Sequence, residues 1–258
     1  MNFSWGAFNK IYWKCIHVLC LCYSIQKEQE LTPNVIIGMK GFLDIFSDLL
    51  PNRKWGQWMS DFIEMTPEVE NELQHNETLK LYLMGHTPKP LSYYLTYNKE
   101  GVNLFEWSWI LHEHINYKRR KEGEDVRGVS LSKFKKMYEA SKISKDQWGR
   151  PLWFVLHSFS LYSSSDITDR QQMLWTAFVS SLQFVLPCPV CREHINNNLS
   201  DMNIKNYFSS NKTLFEWTVK LHNIVNKDTK KNIVSLQEAY KLYDVNKTDQ
   251  DTMMRIFL

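Results

Sequence analysis

Apolar residues recur along this chain at helical spacing. In the second half, Trp148, Leu152, Trp153, Leu156 and His157 fall on one face, which predicts a helix beginning near Asp146 as its N-cap. Leu174, Phe178, Leu182 and Val185 form the stripe of a second helix, from about Asp169 to Leu186. Pro187 ends it and pre-sets the turn into a third helix starting around Cys188. Leu214, Trp217, Leu221 and Ile224 or Val225 predict a fourth over about Thr213 to Asn226, and a short fifth runs from about Ser235 to Tyr243. No segment reads convincingly as the alternating pattern of a strand, so the expected fold class is all-α.

The pattern also repeats. Leu104-Phe105-Glu106-Trp107 recurs as Leu214-Phe215-Glu216-Trp217, each followed by Leu-His (Leu111-His112, Leu221-His222) and then an Asn (Asn116, Asn226). Val129-Ser130-Leu131 matches Val234-Ser235-Leu236, and each leads to a Tyr, Tyr138 and Tyr243. Trp13 and His17 share the spacing of Trp153 and His157, and Leu50-Pro51 matches Leu186-Pro187. Five matches in one order predict two copies of one helical unit, residues 1–140 and 141–258, with the join near Ser141–Asp146. The copies differ after the shared Leu-Pro. The second continues Cys188-Pro189-Val190-Cys191-Arg192-Glu193-His194, the first Asn52-Arg53-Lys54-Trp55-Gly56-Gln57-Trp58, with neither cysteine nor histidine.

Composition narrows the function. The 258 residues are 43% hydrophobic and 23% charged, with a net charge of +3 and no basic stripe, so nucleic acid is not the expected partner. The run Ile16 to Ile25 is too short to span a membrane and no small-residue cleavage site follows it; it reads as a buried helix, and the expected location is the cytoplasm. Five cysteines, Cys15, Cys20, Cys22, Cys188 and Cys191, are too few and too unevenly placed for a secreted disulfide framework.

Cys188-x-x-Cys191 carries the chemistry. At a helix start, side chains three apart share a face, and the free N–H groups and the dipole stabilise a thiolate. Such a pair cycles between dithiol and disulfide. It is also half of a zinc ligand set, but Cys188, Cys191 and His194 supply three of the four ligands a closed site needs, so no metal is expected. A thioredoxin-like oxidoreductase needs a βαβ context that the pattern lacks.

With Trp148-Gly149-Arg150, Trp153, Leu156-His157, Pro187-Cys188-x-x-Cys191, His194, Trp217, His222-Asn223-Ile224-Val225-Asn226 and Lys231 in this order, the second copy resembles the Erv/ALR sulfhydryl oxidases. The resemblance covers Trp148 to about Lys231. It implies a four-helix bundle plus a short fifth helix holding FAD, and a thiol oxidase that forms disulfides in protein substrates, directly or through a thioredoxin-like protein. Electrons would pass to the flavin and then to O2, giving H2O2. Carried over, Cys191 is the flavin-facing cysteine and Cys188 the exchange cysteine. Trp148, Gly149, Arg150, Trp153, His157, His194, Trp217, His222, Asn223, Asn226 and Lys231 fall on cofactor-contacting positions. Trp and His suit stacking on flat rings, Arg and Lys suit a pyrophosphate, and Asn suits ring edges.

Some features depart from the family's pattern. Leu186 stands where many members have an aromatic residue, and Val219 where many have a cysteine of an extra disulfide. The aromatic expected after the Lys is Tyr240 or Tyr243, and Glu113 replaces the second-copy Asn in the first. Cys20-x-Cys22 is open to two readings, an electron relay or small hydrophobes of an apolar helix, and the helix favours the second. Family members commonly dimerise, so the degenerate copy is expected to act as a tethered pseudo-partner, with a further homodimer open. The missing extra disulfide, the absent signal peptide and the degenerate duplicate look similar to enzymes of large DNA viruses that oxidise virion proteins in the cytoplasm, with the viral factory or virion open as a location. The rival reading is a catalytically silent protein that kept the fold.

Overall fold

The computed structural model describes residues 5–26, 31–82, 89–96, 103–138 and 143–243. Among these there is no strand; helices follow one another from end to end. In chain order they are α1 (Trp5–Ser24), α2 (Pro33–Leu49), α3 (Arg53–Glu64), α4 (Pro67–His75), α5 (Glu77–Tyr82), α6 (Leu91–Thr96), α7 (Leu104–Lys121) and α8 (Leu131–Tyr138). Then come α9 (Lys145–Leu161), α10 (Asp169–Val185), α11 (Pro189–Asp201), a 3-10 turn (Ile204–Tyr207), α12 (Asn211–Asp228) and α13 (Leu236–Tyr243). No helix among the described residues is long and apolar enough to cross a membrane.

Contacts divide the described residues into two compact units. One, the CxxC unit, holds residues 144–243 together with 5–16; the other, the companion unit, holds 17–143. The boundary expected between residues 140 and 141 lies outside the described residues. The division assigns the first turns of α1 to the CxxC unit, where Phe8 meets Phe154 at 5.0 Å and Tyr12 meets Phe159 at 5.3 Å between ring centroids. The Tyr12 hydroxyl donates to Ser158 Oγ at 3.0 Å. Burying a ring such as Phe8 contributes about 1.5–3 kcal/mol, so this strip is part of that unit's core.

Helix starts in the CxxC unit follow capping chemistry. The start expected at Asp146 lies two residues earlier, because Ser144 and Gln147 form a capping box in which the Ser144 N–H donates to Gln147 Oε1 at 2.7 Å. Asp146 instead sits in the first turn, where a carboxylate complements the dipole. Thr168 and Gln171 box the start of α10, and Ser210 caps α12. Within this unit α12 packs along α9 and α10 along α11, around the fully buried Phe154, Trp175, Phe178, Phe215 and Trp217.

The companion unit packs α2 on α3 and α7 on α3 and α6. Helix lengths match across the units: α2 and α10 have 17 residues each, α7 and α12 have 18, and α8 and α13 have 8. The helices α4 to α6 stand between α3 and α7, where the other unit has only its 3-10 turn. Cys20 and Cys22, on the part of α1 in this unit, are buried and form no disulfide, and burial pushes the Cys22 thiol up to about 12. Neither position suits exchange with an outside thiol. Cys15, in the other unit, is buried and free as well.

Candidate active site

Pro187 breaks the chain after α10, and Cys188 becomes the N-cap of α11. Its Sγ accepts from the Cys191 N–H at 3.3 Å. The cap geometry brings the two Cα atoms to 5.1 Å, and Cys188 and Cys191 are joined as a disulfide. Both are half-buried, and the Val190 between them is 56% exposed.

Cys191 lies on the wall of a cavity of about 610 Å³, a size that suits an organic cofactor. Cys188 does not line it, so of the bonded pair only Cys191 is a cavity residue. The cavity wall comes from α9 (Trp148, Gly149, Arg150, Trp153, His157), from α11 (Cys191, His194) and from α12 and its exit (His222, Asn223, Asn226, Lys231). A Cβ placed on Gly149 would meet nothing within 4 Å, so the backbone there fronts open space. Leu152, Leu156, Leu182 and Val219 make much of the remaining wall apolar.

Flat rings pile on one side. Trp153 lies over His222 with centroids 4.1 Å apart and planes 5° from parallel, and His157 lies 5.2 Å from His222 at 23°. The His157 Nε2 and His222 Nδ1 are 2.9 Å apart, and His157 Nδ1 is 2.8 Å from the Thr218 hydroxyl. Burial holds both imidazoles neutral: His157 falls well below the usual range, and His222 falls to about 4, helped by the nearby Lys231. On another side, Arg150 and Lys231 each approach one carboxylate, Asp146, at 3.4 Å. These two exposed cations share a single counter-charge and remain available to an anionic ligand.

Two expected contacts have their polar ends engaged within the protein. Trp217 does not line the cavity; it is fully buried, and its indole N–H donates to the Met202 carbonyl at 2.9 Å. The amide of Asn223 is engaged by the backbone of Val234, donating to its carbonyl at 2.8 Å and accepting its N–H at 3.0 Å. Asn223 therefore holds the 230–235 connection against α12. Of the two candidate tyrosines, Tyr243 lines the cavity, while Tyr240 packs on Phe215 at 4.7 Å. Asp146 and Thr218 are site residues that residue type alone did not mark. The repeat held the signal for Thr218, because Ser108 follows Leu104-Phe105-Glu106-Trp107 as Thr218 follows its counterpart.

The companion unit repeats part of this geometry without the cysteines. His17 Nδ1 is 2.9 Å from Ser108 Oγ, and its Nε2 is 3.0 Å from His112 Nδ1. Asn52 caps α3, its Oδ1 accepting from the Trp55 N–H at 3.2 Å, as Cys188 accepts from Cys191. Arg119 lies over the Trp55 ring at 4.7 Å. Glu113 stands where the other unit has Asn223, and it pairs with Arg120 at 2.6 Å.

Among known proteins, residues 150–246 match the Erv1 / Alr family. A probable FAD-linked sulfhydryl oxidase of Acanthamoeba polyphaga mimivirus is 31% identical over 98 residues, which are 38% of this chain and 68% of that protein. An FAD-linked sulfhydryl oxidase of African swine fever virus (isolate Tick/Malawi/Lil 20-1/1983) is 32% identical over 101 residues, 38% of this chain and 80% of the viral one. An Erv1 sulfhydryl oxidase of rice is 25% identical over 105 residues, 41% of this chain and 53% of the plant protein. No solved structure is significantly similar to the chain. The viral identities and their coverage agree with the family match, which falls on the part of the sequence that carries the disulfide and the cavity: the chain belongs to the Erv1/Alr family.

Proposed function

We propose that the chain is an FAD-dependent thiol oxidase that forms disulfides in protein substrates, with Cys188–Cys191 as its redox pair. The observation that carries this is the placement of the pair, with Cys191 among the residues of the cavity wall and Cys188 not among them. The cavity fits FAD in kind: a flat pile of Trp153 and His222, apolar walls, and Arg150 and Lys231 for a pyrophosphate. Bound FAD would supply a two-electron acceptor beside Cys191 and pass the pair on to O2 as H2O2.

The protein's own part is thiol–disulfide exchange. A substrate thiolate attacks Cys188 Sγ, forming a mixed disulfide and expelling Cys191 as a thiolate. The N-terminus of α11, where Cys191 occupies the first turn, stabilises that charge. A second substrate thiolate attacks the substrate sulfur of the mixed disulfide and releases Cys188. The substrate leaves as a disulfide, and Cys188 and Cys191 hold the two electrons as a dithiol. Half-burial of Cys188 beside the exposed Val190 leaves room for a protein thiol, directly or through a thioredoxin-like carrier.

We infer further that the two units are copies of one ancestor and that the companion unit has lost the chemistry. The matched helix lengths, the two Ser/Thr–His–His chains and the shared caps support this. The resemblance to viral relatives suits a viral enzyme that oxidises virion proteins in the cytoplasm.

The test is an absorbance spectrum followed by oxygen uptake with a dithiol. A flavin spectrum is expected, with uptake abolished in Cys191→Ser and in Cys188→Ser while the flavin stays bound. A colourless protein that does not take up FAD would overturn the reading and leave a silent scaffold.

A further inference from the structure

The hydrogen bonds around His157 form a directed chain. Thr218 Oγ1 lies 2.7 Å from the Phe215 carbonyl oxygen, and two oxygens that close need a proton between them. A hydroxyl has one proton to give, so towards His157 Nδ1, 2.8 Å away, Thr218 only accepts. The neighbouring Ser160 hydroxyl, 3.4 Å from Thr218, has its own carbonyl acceptor, His157 O at 2.9 Å. Nδ1 of His157 therefore carries the hydrogen, and its Nε2 is bare. Across the 2.9 Å contact, His222 must then donate from Nδ1. A ring nitrogen's state is set by the bond the other one makes, and here the setting passes through two rings.

We propose that Thr218 is a positioning residue for the cofactor: through His157 it holds His222 in the Nδ1–H form, leaving the His222 Nε2 to accept a hydrogen bond from an N–H or O–H of the bound dinucleotide. This rests on the reading that FAD occupies the cavity His222 lines. Burial keeps both rings neutral, so the acceptor persists at physiological pH. Trp153, parallel to His222 at 4.1 Å, fixes the ring's plane, while the chain from Thr218 fixes which of its edges accepts. The companion unit holds the same chain, Ser108 Oγ to the Phe105 carbonyl at 2.6 Å, then His17, then His112. Its presence there, beside Asn52 and Trp55 in place of cysteines, ties the device to the histidine pair and separates it from the thiol exchange.

The test is a long-range 1H–15N spectrum of the full-length protein labelled in histidine, with His157→Gln and His222→Gln to assign signals. Both rings are expected as Nδ1–H. FAD affinity is then measured for wild type, Thr218→Val and Thr218→Ser. Thr218→Val should release the His222 form and weaken FAD binding about tenfold, the scale of one hydrogen bond. Thr218→Ser should restore both, and the KM for a dithiol should stay unchanged in each. A wild-type protein that binds FAD with His222 as Nε2–H overturns this proposal alone, as does Thr218→Val with unchanged FAD affinity. A wild type that binds no FAD overturns the cofactor reading and the proposal with it.

Discussion

His114, in the companion unit, is fully buried and its ring nitrogens make no hydrogen bond, with the Glu72 carboxylate 3.7 Å away. Burial lowers it from 6.5 to about 4, as it lowers His222 to about 4 and His112 to about 3. Each is a base that the unfolded chain protonates near its ordinary value and the folded chain resists. The stability gained by burying them neutral is complete above about pH 6.5 and is lost as pH falls towards 4, at up to about 1.4 kcal/mol per pH unit for each group. The urea midpoint should therefore hold level above neutrality and drop steeply below it, and His114→Leu should shallow the drop; a flat profile down to pH 5 would contradict this. Residue identity was legible in the sequence where chemistry depends on type, as at Cys188 and Cys191. Direction was not. Trp217 and Asn223 sit in cofactor-contacting positions by resemblance, yet the indole of one goes to the Met202 carbonyl and the amide of the other to Val234. A motif fixes which side chain is present, and packing decides where its polar end points.

Helix α11 begins where a sulfur does the work usually done by oxygen. Cys188 Sγ is a weak acceptor for the Cys191 N–H, while in the companion unit Asn52 fills the same position before α3 with a strong one. Under reducing conditions Cys188→Asn should be more stable than Cys188→Ala by about 1 kcal/mol, measured by thermal unfolding, with no oxidase activity in either. Equal stability would mean that the cap carries no weight. At this scale the helical reading was largely legible, since apolar stripes locate α9, α10 and α12 and Pro187 marks the start of α11. Starts drifted by a residue or two, as at Ser144, because several residues near a start can cap and only the box partner, Gln147, decides between them.

The CxxC unit is discontinuous in sequence, because residues 5–16 complete it from the far end of the chain. Periodicity could not reveal this; α1 reads as an apolar helix whichever unit claims each of its turns. A fragment of residues 141–258 lacks Phe8 and Tyr12 and leaves Phe154 and Phe159 short of ring partners. It should unfold at clearly lower urea than the full chain, and Phe8→Ala in the full chain should cost about 3–5 kcal/mol by the same measure. A fragment as stable as the whole would show that α1 is dispensable to this unit.

The same discontinuity sets an order of events at the ribosome. Residues 17–143 emerge as one uninterrupted stretch, whereas the first turns of α1 must wait for partners made more than a hundred residues later. At the usual pace of synthesis that wait is on the order of ten seconds. Throughout it Phe8 and Tyr12 lack the rings of Phe154 and Phe159. The nascent chain is therefore exposed to capture by chaperones, or by another unfinished copy of itself, at the first turns of α1, long before the cysteine pair has been translated.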